Sequence, residues 1–134
     1  MPTARKIVTD ALTDLGVLQV GETPSADDAA ACLSKLNRML GTWAARGLVV
    51  PQFGTLDSNL TLAVGYEPAI TSNLMVEISP MFAKSMTPEL AESARRAISA
   101  VISRASHAPP LSKDGGLQSP GIYRQGYWDW RTGQ

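Results

Sequence analysis

Apolar residues recur every three or four positions along most of this chain, the spacing of one face of an α-helix. Ala4, Ile7, Val8, Ala11, Leu12 and Leu15 form the first such stripe, and Gly16 stands where a left-handed C-terminal cap is wanted. A short helix over residues 3–15 follows. Gly21 to Pro24 reads as a turn, after which Ser25 and Asp28 have the spacing of a capping box, with Asp in place of the usual Glu. Asp27 and Asp28 also suit the positive end of a helix. From there Ala29, Cys32, Leu33, Leu36, Met39, Leu40 and Trp43 hold one face as far as Arg46, and Gly47 ends the pattern. This longest uninterrupted stripe is expected to be the spine of the fold.

The period then changes. Val49, Val50 and Phe53 precede Asp57, Ser58 and Asn59, and Leu60, Leu62 and Val64 alternate with polar neighbours afterwards. Residues 48–64 therefore read as an extended excursion or a β-hairpin. A lone hairpin is marginal in water, so it must lie on the helices or on a neighbouring copy. Helical spacing returns with Tyr66, Ile70, Leu74, Ile78, Met81 and Phe82. Pro68 is tolerated in the first turn, and Pro80 is expected to kink or loosen the last. Thr87 and Pro88 open a fourth helix, with Leu90, Ala94, Ala97, Ile98, Val101, Ile102 and Ala105 on one side and Arg95, Arg96 and Arg104 on the other.

The last 28 residues, His107 to Gln134, break this pattern. Pro109-Pro110, Gly115-Gly116 and Pro120-Gly121 oppose a helix, yet Tyr123, Tyr127, Trp128 and Trp130 are four of the eight aromatic residues in the chain. Segments that stay solvated are usually poor in aromatics. An aromatic arm without a core of its own is expected to dock elsewhere, with those four rings as the contacts. The chain thus divides into a helical domain, 1–106, and an extended arm, 107–134. The fold class is mainly α: a small four-helix bundle with one extended or hairpin excursion between the second and third helices.

Charge and chemistry narrow the function. Twelve basic and twelve acidic residues balance, so no long-range field steers the molecule onto nucleic acid or an anionic membrane. Cys32 has no partner within the chain and lies on an apolar face, which suits a small core residue in a reducing compartment. No stretch has the apolar length of a signal peptide or of a bilayer span, so a soluble protein made inside the cell is expected. His107 stands without ligand-spaced Cys or His, so neither metal nor cofactor is expected. One His, one Cys and no phosphate-cradling glycine loop argue against an enzyme.

The order of the signals is more specific than any one of them. A helix ending Leu12-Thr13-Asp14-Leu15-Gly16-Val17-Leu18 is followed by Gly21-Glu22-Thr23-Pro24-Ser25-Ala26. Then come Leu33, Leu36-Asn37-Arg38-Met39-Leu40, Trp43 and Gly47-Leu48. Past the excursion stand Gly65-Tyr66-Glu67-Pro68-Ala69-Ile70, Asn73-Leu74, Ile78-Ser79-Pro80-Met81-Phe82 and the helix from Pro88. Over roughly residues 4–105 this arrangement resembles the head-to-tail adaptor proteins of tailed phages, also called head-completion or packaged-DNA stabilisation proteins. The arm is not matched in detail, and the excursion is shorter than in many members.

The resemblance implies a structural protein of the virion neck, present in the host cytoplasm during assembly. Identical subunits would form a ring, a dodecamer in well-known members, beneath the portal protein and close to the packaged DNA, and would receive the tail or nozzle protein. A C-terminal extension commonly contacts the portal in that family. Tyr123, Tyr127, Trp128 and Trp130 are then expected to meet the portal or a neighbouring copy, and Arg95, Arg96 and Arg104 to line a subunit interface or the lumen. Arms that are weak singly add through effective concentration on a symmetric partner, so the isolated protein is expected to be a monomer or small oligomer. The competing reading is a small helical DNA-binding factor for packaging or transcription, which would rest on those three arginines.

Overall fold

The computed structural model describes residues 1–106 apart from positions 49, 60 and 64. Four helices make up the described part: α1 (Ala4–Asp14), α2 (Ala26–Ala45), α3 (Tyr66–Ile78) and α4 (Pro88–Ala105). The protein is mainly helical, as the spacing of its apolar residues predicts.

Three of the four N-termini, those of α1, α2 and α4, are capped by a side-chain hydroxyl. Thr3 Oγ1 accepts from the Lys6 amide at 3.1 Å, Ser25 Oγ from Asp28 at 3.2 Å and Thr87 Oγ1 from Leu90 at 3.3 Å. These bonds satisfy amides that have no partner inside the helix. The Asp28 carboxylate accepts from the Ser25 hydroxyl at 2.7 Å, so the expected capping box closes through side chains.

Three segments end in the same backbone device. After α1, Val17 N–H donates to Leu12 O (2.9 Å) and Gly16 N–H to Thr13 O (3.0 Å); after α2, Leu48 donates to Trp43 O (3.1 Å) and Gly47 to Ala44 O (3.0 Å). These paired bonds define a Schellman motif, which needs a left-handed residue. Gly16 and Gly47 supply it, at φ 76° and 85°. The third motif follows α3. Lys84 N–H donates to Ser79 O (3.0 Å) and Ala83 N–H to Pro80 O (3.3 Å), with Ala83 at φ 52°. Pro80 stops α3 at Ile78 because it brings no amide, yet the chain makes one further turn through Met81 and Phe82. The Ser79 hydroxyl donates to Val76 O at 3.1 Å, the carbonyl that an amide at position 80 would have reached.

Helix α3, not α2, is the central element. It packs against each of the other three helices, whereas α4 packs against α3 alone. Its buried residues Ala69, Ile70, Leu74, Met75 and Ile78 cover about 240° of its circumference at 100° per residue, against about 100° for the buried set of α2. A helix apolar on several sides belongs in the middle, and a longer one with a single stripe belongs on the outside. Ile7, Val8 and Leu12 of α1, Leu36, Leu40 and Trp43 of α2, and Ile70, Leu74 and Ile78 of α3 meet in one core. Only Ala94, Ile98 and Val101 of α4 are fully buried; Leu90, expected on its apolar side, is 43% exposed.

The excursion is irregular, with a turn in which Ser58 N–H donates to Thr55 O at 3.2 Å, and it contains no hairpin among the described residues. Among the described residues its one bridge joins Asn59 to Thr3, at the start of α1. Leu48, Val50 and Phe53 turn into the helical core instead of forming a strand face. The backbone of Phe53 is paired by the Asn37 side chain of α2, which donates to Phe53 O (2.8 Å) and accepts from Phe53 N–H (2.9 Å). One amide side chain thus replaces a second strand. Farther along, Arg5 N–H donates to Leu56 O at 2.8 Å, and the Arg5 guanidinium grips Asp57 at 2.8 and 3.2 Å. Val49, Leu60 and Val64 lie outside the described residues.

Candidate functional site

The aromatic contacts expected in the arm, Tyr123, Tyr127, Trp128 and Trp130, lie outside the described residues. Arg95, Arg96 and Arg104 are all exposed on α4. They do not share one face. At 100° per residue, Arg96 points almost directly away from the buried line of Ala94, Ile98 and Val101, while Arg95 and Arg104 flank it on opposite sides, about 180° apart. Arg96 Nε stands 3.5 Å from Glu92 Oε1, an exposed pair one turn apart.

Sequence patterning does not reveal an open cleft of about 530 Å³ between α1 and α3. Asp10 and Asp14 border it from α1 and Glu67 from α3, and Val20, 93% exposed, stands at its edge beside Gly21. Lys6 reaches both Asp10 (2.9 Å) and Glu67 (2.6 Å). These bonds, the one to Glu67 foremost, raise the Lys6 pKa above its ordinary value. All three partners are well hydrated, so the pairing fixes position more than it adds stability. The Lys6 and Asp10 spacing was readable from the chain; the arrival of Glu67, 61 residues away, depends on α3 packing beside α1.

Three of the cleft hydroxyls bond to backbone carbonyls. Thr13 Oγ1 donates to Thr9 O (2.8 Å), Thr71 Oγ1 to Glu67 O (3.0 Å) and Ser72 Oγ to Ala69 O (3.3 Å). Each serves its own helix. With Pro68 and Met75 the lining is largely apolar beneath three carboxylates, two of which, Asp10 and Glu67, are paired with Lys6.

Elsewhere, burial, aided by the charge of Asp28, pushes the Cys32 thiol up to about 11, so it stays protonated and unreactive at neutral pH. The Asp57 carboxyl is lowered by its hydrogen bonds and charge pairing with Arg5. Among the described residues no three or more His, Cys, Asp or Glu side chains are placed to hold a metal ion. No described helix is long and apolar enough to cross a membrane.

Comparison with family models, with curated proteins and with solved structures finds no match to this chain.

Proposed function

We propose that this protein is a structural component of a tailed-phage virion, a head-to-tail adaptor. It assembles as a ring beneath the portal protein, helps retain packaged DNA and offers a surface to the tail. The observation that carries this reading is the order of the segments resembling that family. Leu12 to Leu18 span the end of α1, Leu33 to Leu48 the body and cap of α2, and Gly65 to Phe82 the whole of α3 and the turn after it. A small body of four helices, followed in sequence by an aromatic arm, suits a subunit that is completed by neighbours. A closed ring needs two different patches on each copy. Tyr123, Tyr127, Trp128 and Trp130 act as anchors on the portal or on the next copy, since large rings dominate interface energetics.

The test mixes full-length protein with the portal protein encoded by the same genome and images the products by negative stain. An added ring on the portal is expected. Deleting residues from Tyr123 onward should abolish that ring while leaving the cooperative melt intact. Failure of the full chain to join the portal overturns the reading. Tight binding of labelled duplex, weakening steeply with salt and lost when Arg95 and Arg96 are changed to Ala, would establish the DNA-binding factor instead.

A further inference from the structure

An occupant for the α1–α3 cleft is already part of the chain. The cleft has Pro68 and Met75 in its lining, and Val20 at its edge is 93% exposed. That exposure is held in place. Gln19 O accepts from the Glu22 amide at 3.0 Å, Glu22 Oε2 accepts from the Gln19 amide at 3.0 Å, and Gly21 turns at φ 88°. A turn closed from both sides thus presents an apolar side chain beside a largely apolar lining. The rim stays negative after its internal pairing: Lys6 answers Asp10 and Glu67 with a single positive charge, and Asp14 makes no ion pair among the described residues.

The place where α4 ends decides what can reach this cleft. The short connection from Ser79 to Thr87 makes α3 and α4 antiparallel, and Asn73 Nδ2, donating to Ala94 O at 3.0 Å, sets their level. At about 1.5 Å per residue, α4 runs on from Ala94 to Ala105 and ends roughly 6 Å past the first turn of α3. Glu67 and Pro68 of that turn line the cleft. The lining residues of α3 stand between about 100° and 160° around the helix from Asn73, so the way round is about half a circumference, roughly 16–19 Å. Residues 107–122 can span up to about 50 Å before Tyr123 is reached. The arm itself lies outside the described residues. Its sequence sets Tyr123, Tyr127, Trp128 and Trp130 beside Arg124 and Arg131, with Asp129 the one acid among them.

We infer that the α1–α3 cleft is the binding site for the chain's own arm, which lays Trp128 and Trp130 against Val20, Pro68 and Met75 and brings its cations to Asp14. Bound in extended form, residues 128 and 130 face the same way, so both rings enter together. The tether selects the chain's own arm over that of a second copy, because a short linker gives an effective concentration in the millimolar range. A weak contact therefore suffices. Stowed in the cleft, the rings are kept from water in the free subunit, and a partner that takes them as anchors must empty the cleft first. The inference goes beyond the virion reading and does not depend on it.

The full-length protein tests this by NMR with a nitroxide on one added thiol. Cys32 is buried, so the reagent reaches only the new cysteine. From Thr23→Cys, two residues past Gly21 at the cleft edge, the nitroxide should broaden away the indole N–H signals of Trp128 and Trp130. From Glu89→Cys, on the outer face of α4, it should leave them sharp. Mixing the Thr23-labelled chain with isotope-labelled chain that carries no nitroxide should also leave them sharp, because the contact lies within one chain. Asp14→Arg with Val20→Arg should release the arm and restore sharp signals under the Thr23 label, while the body still melts cooperatively. Sharp signals from the Thr23 label, equal broadening from both labels, broadening passed between chains, or broadening that survives the double substitution overturns the inference. The two readings fail separately. A docked arm on a protein that does not join the portal removes only the virion reading, and portal binding by a protein whose arm never approaches Thr23 removes only this one.

Discussion

Asn37 holds Phe53 through both ends of its amide, donating from Nδ2 to the Phe53 carbonyl at 2.8 Å and accepting from the Phe53 amide at 2.9 Å. Phe53 is 1% exposed, so its backbone has little access to water. Removing the side chain strands a donor and an acceptor together, at roughly 1–3 kcal/mol for each group left without a partner. Asn37→Ala should therefore lower the denaturant midpoint markedly. Asn37→Asp, which keeps only an acceptor, should lose less. Urea melts of the two variants give the comparison, and equal losses would show that the bond from the Phe53 amide adds nothing.

Leu36 and Leu40 are fully enclosed in the common core. Leu36→Ala or Leu40→Ala should cost about 2–5 kcal/mol through lost burial and a residual cavity. Lys6→Ala breaks two ion pairs in one step, yet it should cost under about 1 kcal/mol because all three partners are hydrated. Thermal denaturation ranks the three, and a Lys6 loss as large as either Leu loss would mean that the cleft is electrostatically essential to folding.

Ala83 occupies a left-handed position that an L-residue adopts at a cost of roughly 1–2 kcal/mol. Glycine removes that strain but widens the unfolded ensemble by about 0.4–1 kcal/mol. Ala83→Gly should leave stability unchanged or raise it by up to about 1 kcal/mol, the reverse of the usual Ala-to-Gly effect. Gly47→Ala should do the opposite, losing about 1 kcal/mol at φ 85°. Matched chemical melts decide both.

Cys32 should make stability fall at high pH. Its thiol rises from an ordinary 9.0 to about 11 in the folded state, mainly through burial. A pKa raised by folding stabilises fully below the unfolded value, and that contribution disappears as pH climbs through the folded value. Between pH 9 and 11 the wild type should lose more stability than Cys32→Ala, by no more than about 1.4 kcal/mol per pH unit. Parallel curves for the two proteins would place the thiol in contact with water. At neutral pH a thiol reagent should label the native protein only at its unfolding rate.

The sequence by itself determined the four helices and most of their ends. Their signals are local: apolar residues three and four apart, a hydroxyl one position before the first turn, glycine at Gly16 and Gly47 where the backbone turns left-handed. The mainly helical class follows from these alone. It also exposed the rings of Tyr123, Tyr127, Trp128 and Trp130 as a group outside the helical pattern. Tertiary structure decided what depends on distant residues meeting. Alternation around residues 48–64 fits a hairpin equally well, and only the reach of Asn37 to Phe53 and of Arg5 to Asp57 ties the segment to the helices. The Schellman motif at Ala83 is hidden because alanine does not announce a positive φ. The longest stripe suggested α2 as the spine, but α3 took the centre because it buries more than half its circumference, a demand visible only once three neighbours are in place. The acidic cleft arises for the same reason, since Glu67 joins Lys6 and Asp10 only when α3 lies against α1.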